Sequence, residues 1–182
     1  VMFNTDGSRV MFLCRMRRDR EPGLRTSLWT VRPDGSELSL QIGFDHKISH
    51  FAWPDPDRLL ISTDLLGPMQ FITFTVDRGD FAPFGGGLLP EDGHACFSPD
   101  GRWLVCDTYP QGAERISRLM LYEMATGRLV DVGGMYSEPL FTGDVRCDLH
   151  PRWHPDGHSL TIDAVPDGNR QIYQYDVSSI VG

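Results

Sequence analysis

His50, His94 and His150 each stand three residues before an aromatic residue, Trp53, Phe97 and Trp153. Each aromatic opens a turn, in the second and third cases a Pro-Asp-Gly turn, Pro99-Asp100-Gly101 and Pro155-Asp156-Gly157. Equivalent positions on successive units of a rotationally repeated fold point toward one axis. Three nitrogen donors around an axis suit a transition metal with an open coordination position, or proton transfer near neutral pH. Other reactive side chains come with them. Folding back across a turn centred on Asp100 sets Cys106 opposite His94, about 5 Å away, with Asp107 and Tyr109 near the same level. An imidazole and a thiolate so placed can share a soft metal such as zinc. The same fold-back sets Ser62 opposite His50, and Ile162 opposite His150 with Asp163 next along. Arg146, Cys147 and Asp148 run straight into His150 and bring a guanidinium and a carboxylate to the same end.

Each of these residues also has a plain structural use. In repeats of this kind an imidazole after glycine bonds a neighbouring Asp or hydroxyl and ties one unit to the next, and Gly93-His94 has Asp107 and Thr108 at hand. His46, His154 and His158 read as turn or surface residues. Cys106 lies in the apolar run WLVC and reads equally as core, Cys14 and Cys96 as packing. Arg146 and Arg152 can pair with Asp148 or other acids, and Tyr109, ahead of Pro110, can anchor a loop. Trp53, Phe97 and Trp153 read as core between units.

What must position these side chains is an internal repeat. Residues 3–14 (FNTDGSRVMFLC), 97–108 (FSPDGRWLVCDT) and 153–164 (WHPDGHSLTIDA) superimpose without a gap. Residues 53–64 (WPDPDRLLISTD) form a degenerate copy in the same frame, with Asp57 in place of glycine. An aromatic, a polar turn ending in Asp-Gly and a run of β-formers is a hairpin signature. A second β-rich stretch follows each hairpin, at residues 27–35, 69–77, 118–127 and 171–179, and three of them lead into a short tail such as LSLQIG or RLVDVGG. Three or four short strands in about 40 to 55 residues match a β-propeller blade. No window holds a helical apolar pattern for long before Gly or Pro interrupts it. The expected fold is all-β, a β-propeller of four-stranded antiparallel blades, with four blades at residues 1–46, 47–90, 91–145 and 146–182 and no evident fourth strand in the last. Four hairpins mean either part of a larger ring or a small closed ring. Two loops exceed what blades require. Residues 81–93 carry Gly85-Gly86-Gly87 without the Lys-Ser/Thr of a phosphate loop. Residues 133–148, with Met135, Tyr136, Glu138 and Phe141, run toward His150 and can wall a sugar.

Composition narrows the function. The 182 residues, 40% hydrophobic and 23% charged, suffice for one or two domains with a core. No run approaches the roughly 18 apolar residues of a membrane-spanning helix, and residues 1–10 lack a basic segment followed by an apolar one. No membrane partner and no intact secretion signal are expected. A net charge of −8 argues against affinity built on nucleic-acid phosphates. The four cysteines contain no CxxC pair and fit reduced thiols, leaving cytoplasmic and exported locations both open. GxSxG, HExxH, EF-hand and nucleotide motifs are absent.

The hairpin SPDGRWL, followed by a strand of the LYxxxxxTG type, resembles the TolB-like, WD-repeat-like propeller family. More narrowly, residues 92–110 (DGHACFSPDGRWLVCDTYP), 146–157 (RCDLHPRWHPDG) and 170–177 (RQIYQYDV) resemble the propellers of the oligogalacturonate lyase and ulvan lyase type. The resemblance implies a larger ring of about seven blades and a lyase acting on uronic-acid oligosaccharides by β-elimination. Such a reaction needs a cation for the carboxylate, a base for the carbon-bound proton and an acid for the leaving oxygen. On this resemblance Arg146 or a bound metal would meet the carboxylate, His150 or His94 would be the base and Tyr109 the acid. It also implies a manganese ion held by several histidines and a Gln, including a His-x-His pair that this sequence lacks, so the metal set is incomplete. A structural zinc held by Cys and His is implied as well, with His94, Cys106 and Cys147 the nearest candidates. The candidate metal ligands are thus His50, His94, His150, Cys106 and Cys147. The expected partner is an acidic oligosaccharide, which at this net charge requires a locally positive mouth. The competing expectation is a non-catalytic TolB-like module presenting one face to a protein or ligand, since a fold does not fix a function.

Overall fold

The computed structural model describes residues 1–17 and 24–182. Its strands follow the repeat. The first sheet holds β1 (Met2–Phe3), β2 (Val10–Met16), β3 (Arg25–Val31) and β4 (Ser39–Ile42); the second holds β5 (Ile48–Ala52), β6 (Arg58–Thr63), β7 (Gln70–Thr75) and β8 (Phe81–Pro83). The third holds β9 (Ala95–Phe97), β10 (Trp103–Asp107), β11 (Ile116–Glu123) and β12 (Leu129–Tyr136). The fourth has β13 (Arg152–Trp153), β14 (Ser159–Ala164) and β15 (Gln171–Asp176), and leads into a single helical turn, α1 (Ser178–Val181). Within every sheet the strands pair antiparallel in chain order. The class is all-β, built from small antiparallel meanders. Both long loops lend residues to strands: β8 takes the start of one, and β12 the start of the other. Among the described residues no helix is long and apolar enough to cross a membrane.

The chain divides into two compact units, Val1–Gly87 and Leu88–Gly182, each with two sheets and its own core. In the first, Met11 and Leu28 pack with Trp53, Leu59, Ile61 and Ile72; in the second, Val105, Leu119 and Leu121 pack with Leu149, Leu160 and Ile162. Alternation along the strands buries these side chains, because successive residues face opposite sides of a sheet.

The turn between β9 and β10 decides what stands beside His94. Ser98 N donates to Trp103 O, so the loop spans four residues, Pro99 to Arg102, with Gly101 at φ 71°. Ser98 Oγ donates to Asp100 Oδ1 (2.6 Å) and accepts from Trp103 N (2.9 Å), while Asp100 also accepts from Arg102 N (3.0 Å). This loop moves the fold-back by one residue from a turn centred on Asp100. Cys106 therefore pairs with Ala95 and not with His94; the residue at the level of His94 is Asp107, whose N donates to His94 O (3.2 Å). The fourth sheet keeps this register, Trp153 with Leu160, which brings Asp163 rather than Ile162 toward the level of His150. The degenerate copy has a turn one residue shorter, pairing Phe51 with Ile61, and a bulge between Ile48 and Phe51 takes in His50.

Asp6, Asp100 and Asp156 occupy one turn position, and hydrogen bonds hold all three carboxyls below the ordinary carboxylate range: from Ser8 to Asp6, from Ser98 and Arg102 to Asp100, and from the backbone of His158 to Asp156. A depressed pKa contributes stability that is full above the unfolded value of about 3.9 and is lost as pH falls toward the folded value. The melting temperature is therefore expected to hold between pH 7 and about pH 5 and to fall below about pH 4. Asp100→Asn should melt lower than the native chain at pH 7, with the gap narrowing as pH falls from about 4 toward 2; thermal melts across that range check it.

Candidate functional site

The second unit brings six reactive side chains to the end where β9 begins and β10 finishes. At its base lies Asp107, the last residue of β10, with a side chain 1% exposed. Its Oδ1 accepts the backbone N–H of His94 (2.6 Å), and its Oδ2 accepts the backbone N–H of His150 (3.1 Å) and lies 3.0 Å from His94 Nδ1. One carboxylate thus holds the approaches to two successive sheets. Gly93 makes the approach possible: a Cβ there would stand 2.1 Å from the Asp107 carbonyl oxygen. A second tie runs alongside, from Trp153 Nε1 to Cys96 O (3.0 Å).

His150 adopts φ 42°, the left-handed region that residues other than glycine seldom enter. Its ring lies on that of His94, with centroids 3.8 Å apart and planes 39° apart. His150 Nδ1 is 3.1 Å from Asp148 O. A carbonyl and an ionised carboxylate only accept, so both Nδ1 atoms are donors, and in the neutral rings each Nε2 carries a lone pair. Backbone strain at such a place is stored where the surroundings over-determine it.

Arg146 and Tyr109 complete the group. Arg146 donates from Nε and Nη2 to the two oxygens of Asp148 (2.5 and 2.8 Å), and its guanidinium carbon sits 4.5 Å from the centroid of the Tyr109 ring. Tyr109 meets His94 edge-on at 6.1 Å. Burial and the charges of Asp92 and Asp148 push the Tyr109 phenol up to about 12, so it remains a proton donor at neutral pH. Asp148 raises the Arg146 pKa by hydrogen bonding. Three carboxylates, Asp92, Asp107 and Asp148, act on this end against one guanidinium, a balance that favours a cation.

His94, Asp148 and His150 offer ligand atoms within 4.8 Å of one another, the one such trio among the described residues. The pair His94 and Cys106 is not formed. Cys106 is fully buried beside Asp107 on β10, on the opposite face of the strand, and burial raises its thiol well above the ordinary value. Cys147 is also buried, with its thiol raised, and all four cysteines are free. His50 belongs to the first unit, its Nδ1 3.0 Å from Ser49 Oγ. The structure thus gathers His94, His150, Arg146 and Tyr109 with Asp148. Sequence reasoning missed that Asp107 serves both histidines; the available signal was an acid at one repeat position in two copies, Asp107 and Asp163. Asp163 instead pairs with Arg152 (2.7 Å). An apolar cleft lined by Trp103, Met124, Ile180 and Val181 lies at the turn end of β10, away from the histidines.

No protein-family model matches the chain, and no curated protein matches it either. Solved structures do. TolB from Acinetobacter baumannii is 20% identical with a TM-score of 0.66, the match covering 93% of this chain and 39% of that one. An oligogalacturonate lyase in complex with manganese is 21% identical at a TM-score of 0.69, covering 95% and 46%. A puromycin-hydrolysing peptidase of Mycobacterium tuberculosis is 18% identical at 0.58, covering 97% and 26%. The likeness shows the fold, that of TolB and oligogalacturonate lyase β-propellers, and the chain spans less than half the length of each of these proteins.

Proposed function

We propose that this chain carries the reacting end of a carbohydrate-active propeller that cleaves uronic-acid oligosaccharides by β-elimination. The observation that carries it is the stacked pair His94 and His150, each Nδ1 committed to an acceptor, beside Asp148, Arg146 and Tyr109. An imidazole nitrogen from His94 and a carboxylate oxygen from Asp148 suit manganese or zinc, and Arg146 uses only part of the lone-pair capacity of Asp148. Such an ion, held by His94 and Asp148, would supply positive charge to neutralise a uronate carboxylate, and the Nε2 lone pair of His150 would stay with the reaction. A manganese complex among the similar structures supports this choice of cofactor.

The chain's own residues divide the remaining work. His150, exposed beside buried Asp148, is placed to take the proton from the carbon next to the carboxylate. The electron pair of that C–H bond forms the new double bond as the glycosidic C–O bond breaks. The Tyr109 phenol, protonated at neutral pH, delivers a proton to the departing oxygen. Arg146, stacked on Tyr109, orients the phenol and adds positive charge opposite Asp148.

A second reading, a non-catalytic binding module, draws on the same joint: His94 bonded to a buried Asp is the structural tie such repeats use. Incubation with oligogalacturonate and ulvan oligosaccharides, with and without manganese or zinc, separates the two. Ultraviolet absorbance from an unsaturated uronate product supports the lyase; metal binding without product on either substrate leaves the module.

A further inference from the structure

Resting on the metal assignment above, we infer that Asp107 is the positioning residue of this site: it sets the tautomer of His94 and holds the backbone of His150 in its strained conformation. Four contacts converge on a carboxylate with 1% of its surface exposed: the N–H of His94, the N–H of His150, and His94 Nδ1 to both oxygens at 3.2 and 3.0 Å. A carboxylate that only accepts forces Nδ1–H on His94 and places the ring's lone pair on Nε2. A carboxylate behind a ligating histidine acts this way at metal sites, fixing ring orientation and raising basicity. His150 depends on the same group differently. Its own Nδ1 is fixed by Asp148 O, but the φ of 42° aims its N–H at Asp107. Loss of that acceptor would release the backbone toward ordinary φ and pull the two rings apart.

Asp107→Asn changes one oxygen to NH2 with almost no change in shape. The His94 N–H, closest at 2.6 Å, claims the amide oxygen. The NH2 then faces His94 Nδ1, which must become an acceptor, and the proton moves to Nε2. A carboxylate-to-amide change in a catalytic triad misplaces a histidine proton by the same logic.

The test is nitrogen NMR of 15N-histidine-labelled chain, with His94 assigned by the loss of its signals in His94→Gln, together with zinc and manganese titration. The native chain is expected to show His94 protonated at Nδ1, and Asp107→Asn to show it at Nε2 and to bind zinc about 10- to 100-fold more weakly. A native His94 protonated at Nε2 overturns the inference on the native chain alone, even where the variant fails to fold. Unchanged zinc affinity in a folded variant whose tautomer has switched also overturns it, while the metal assignment survives. If the native chain binds neither metal but the tautomer still switches, the metal assignment fails and the control of His94 by Asp107 stands.

Discussion

Gly93→Ala is expected to destabilise the second unit by about 3 kcal/mol or more, the upper range for overpacking and backbone displacement. The added Cβ would stand 2.1 Å from the carbonyl oxygen of Asp107 and 3.2 Å from its carbonyl carbon. Neither atom belongs to a flexible side-chain tip. Both lie in β10, which is paired on one side with β9 and on the other with β11, so relief requires moving a central strand or breaking the bond from Asp107 N to His94 O. The second movement also withdraws the carboxylate from both histidines. Urea unfolding followed by tryptophan fluorescence measures the loss, and the melting temperature should fall by more than about 10 °C. A change below about 1 kcal/mol would mean that the entry to β9 yields easily, and that the close approach is not a constraint on the site.

His150→Ala is expected to lower uronate-lyase turnover by about 10²- to 10⁴-fold, the usual contribution of a positioned general base. Stability should change little. The side chain is exposed, and its ring makes one hydrogen bond to Asp148 O. The N–H to Asp107 is a backbone bond and survives the substitution. Turnover of oligogalacturonate by the variant, compared with the native chain at equal folded fraction, checks the prediction. Activity retained within a few-fold would remove His150 as base.

The hairpin repeat made the sheets legible, because aromatic, turn and β-former recur at fixed offsets in three copies and nearly so in the fourth. The members of the site were legible as well: His94, His150, Arg146 and Tyr109 do assemble. Their pairing was not. Turn length was the missing quantity, and it is set by Ser98 and Asp100 bonding across the loop to Trp103 and Arg102, interactions with no periodic signature. A slip of one residue in a strand exchanges its faces, which is why Asp107 replaces Cys106 beside His94 and the thiol goes into the core. The left-handed backbone of His150 left no trace in residue type either, since glycine is the usual marker of that conformation. The structural use of Gly93-His94, bonded to Asp107, is present too, and the same arrangement places the ring's lone pair on Nε2.

Among the described residues every named strand pairs with its immediate neighbour in sequence, and one isolated parallel bridge, Ser137 with Val165, reaches further. Loop closure is correspondingly cheap and folding is expected to be quick for a β protein. On the ribosome, each meander can zip up as it clears the exit tunnel, before the next has been translated. The first unit, with its own apolar interior, would already be shielded from aggregation while the half that holds His94 and His150 is still being made.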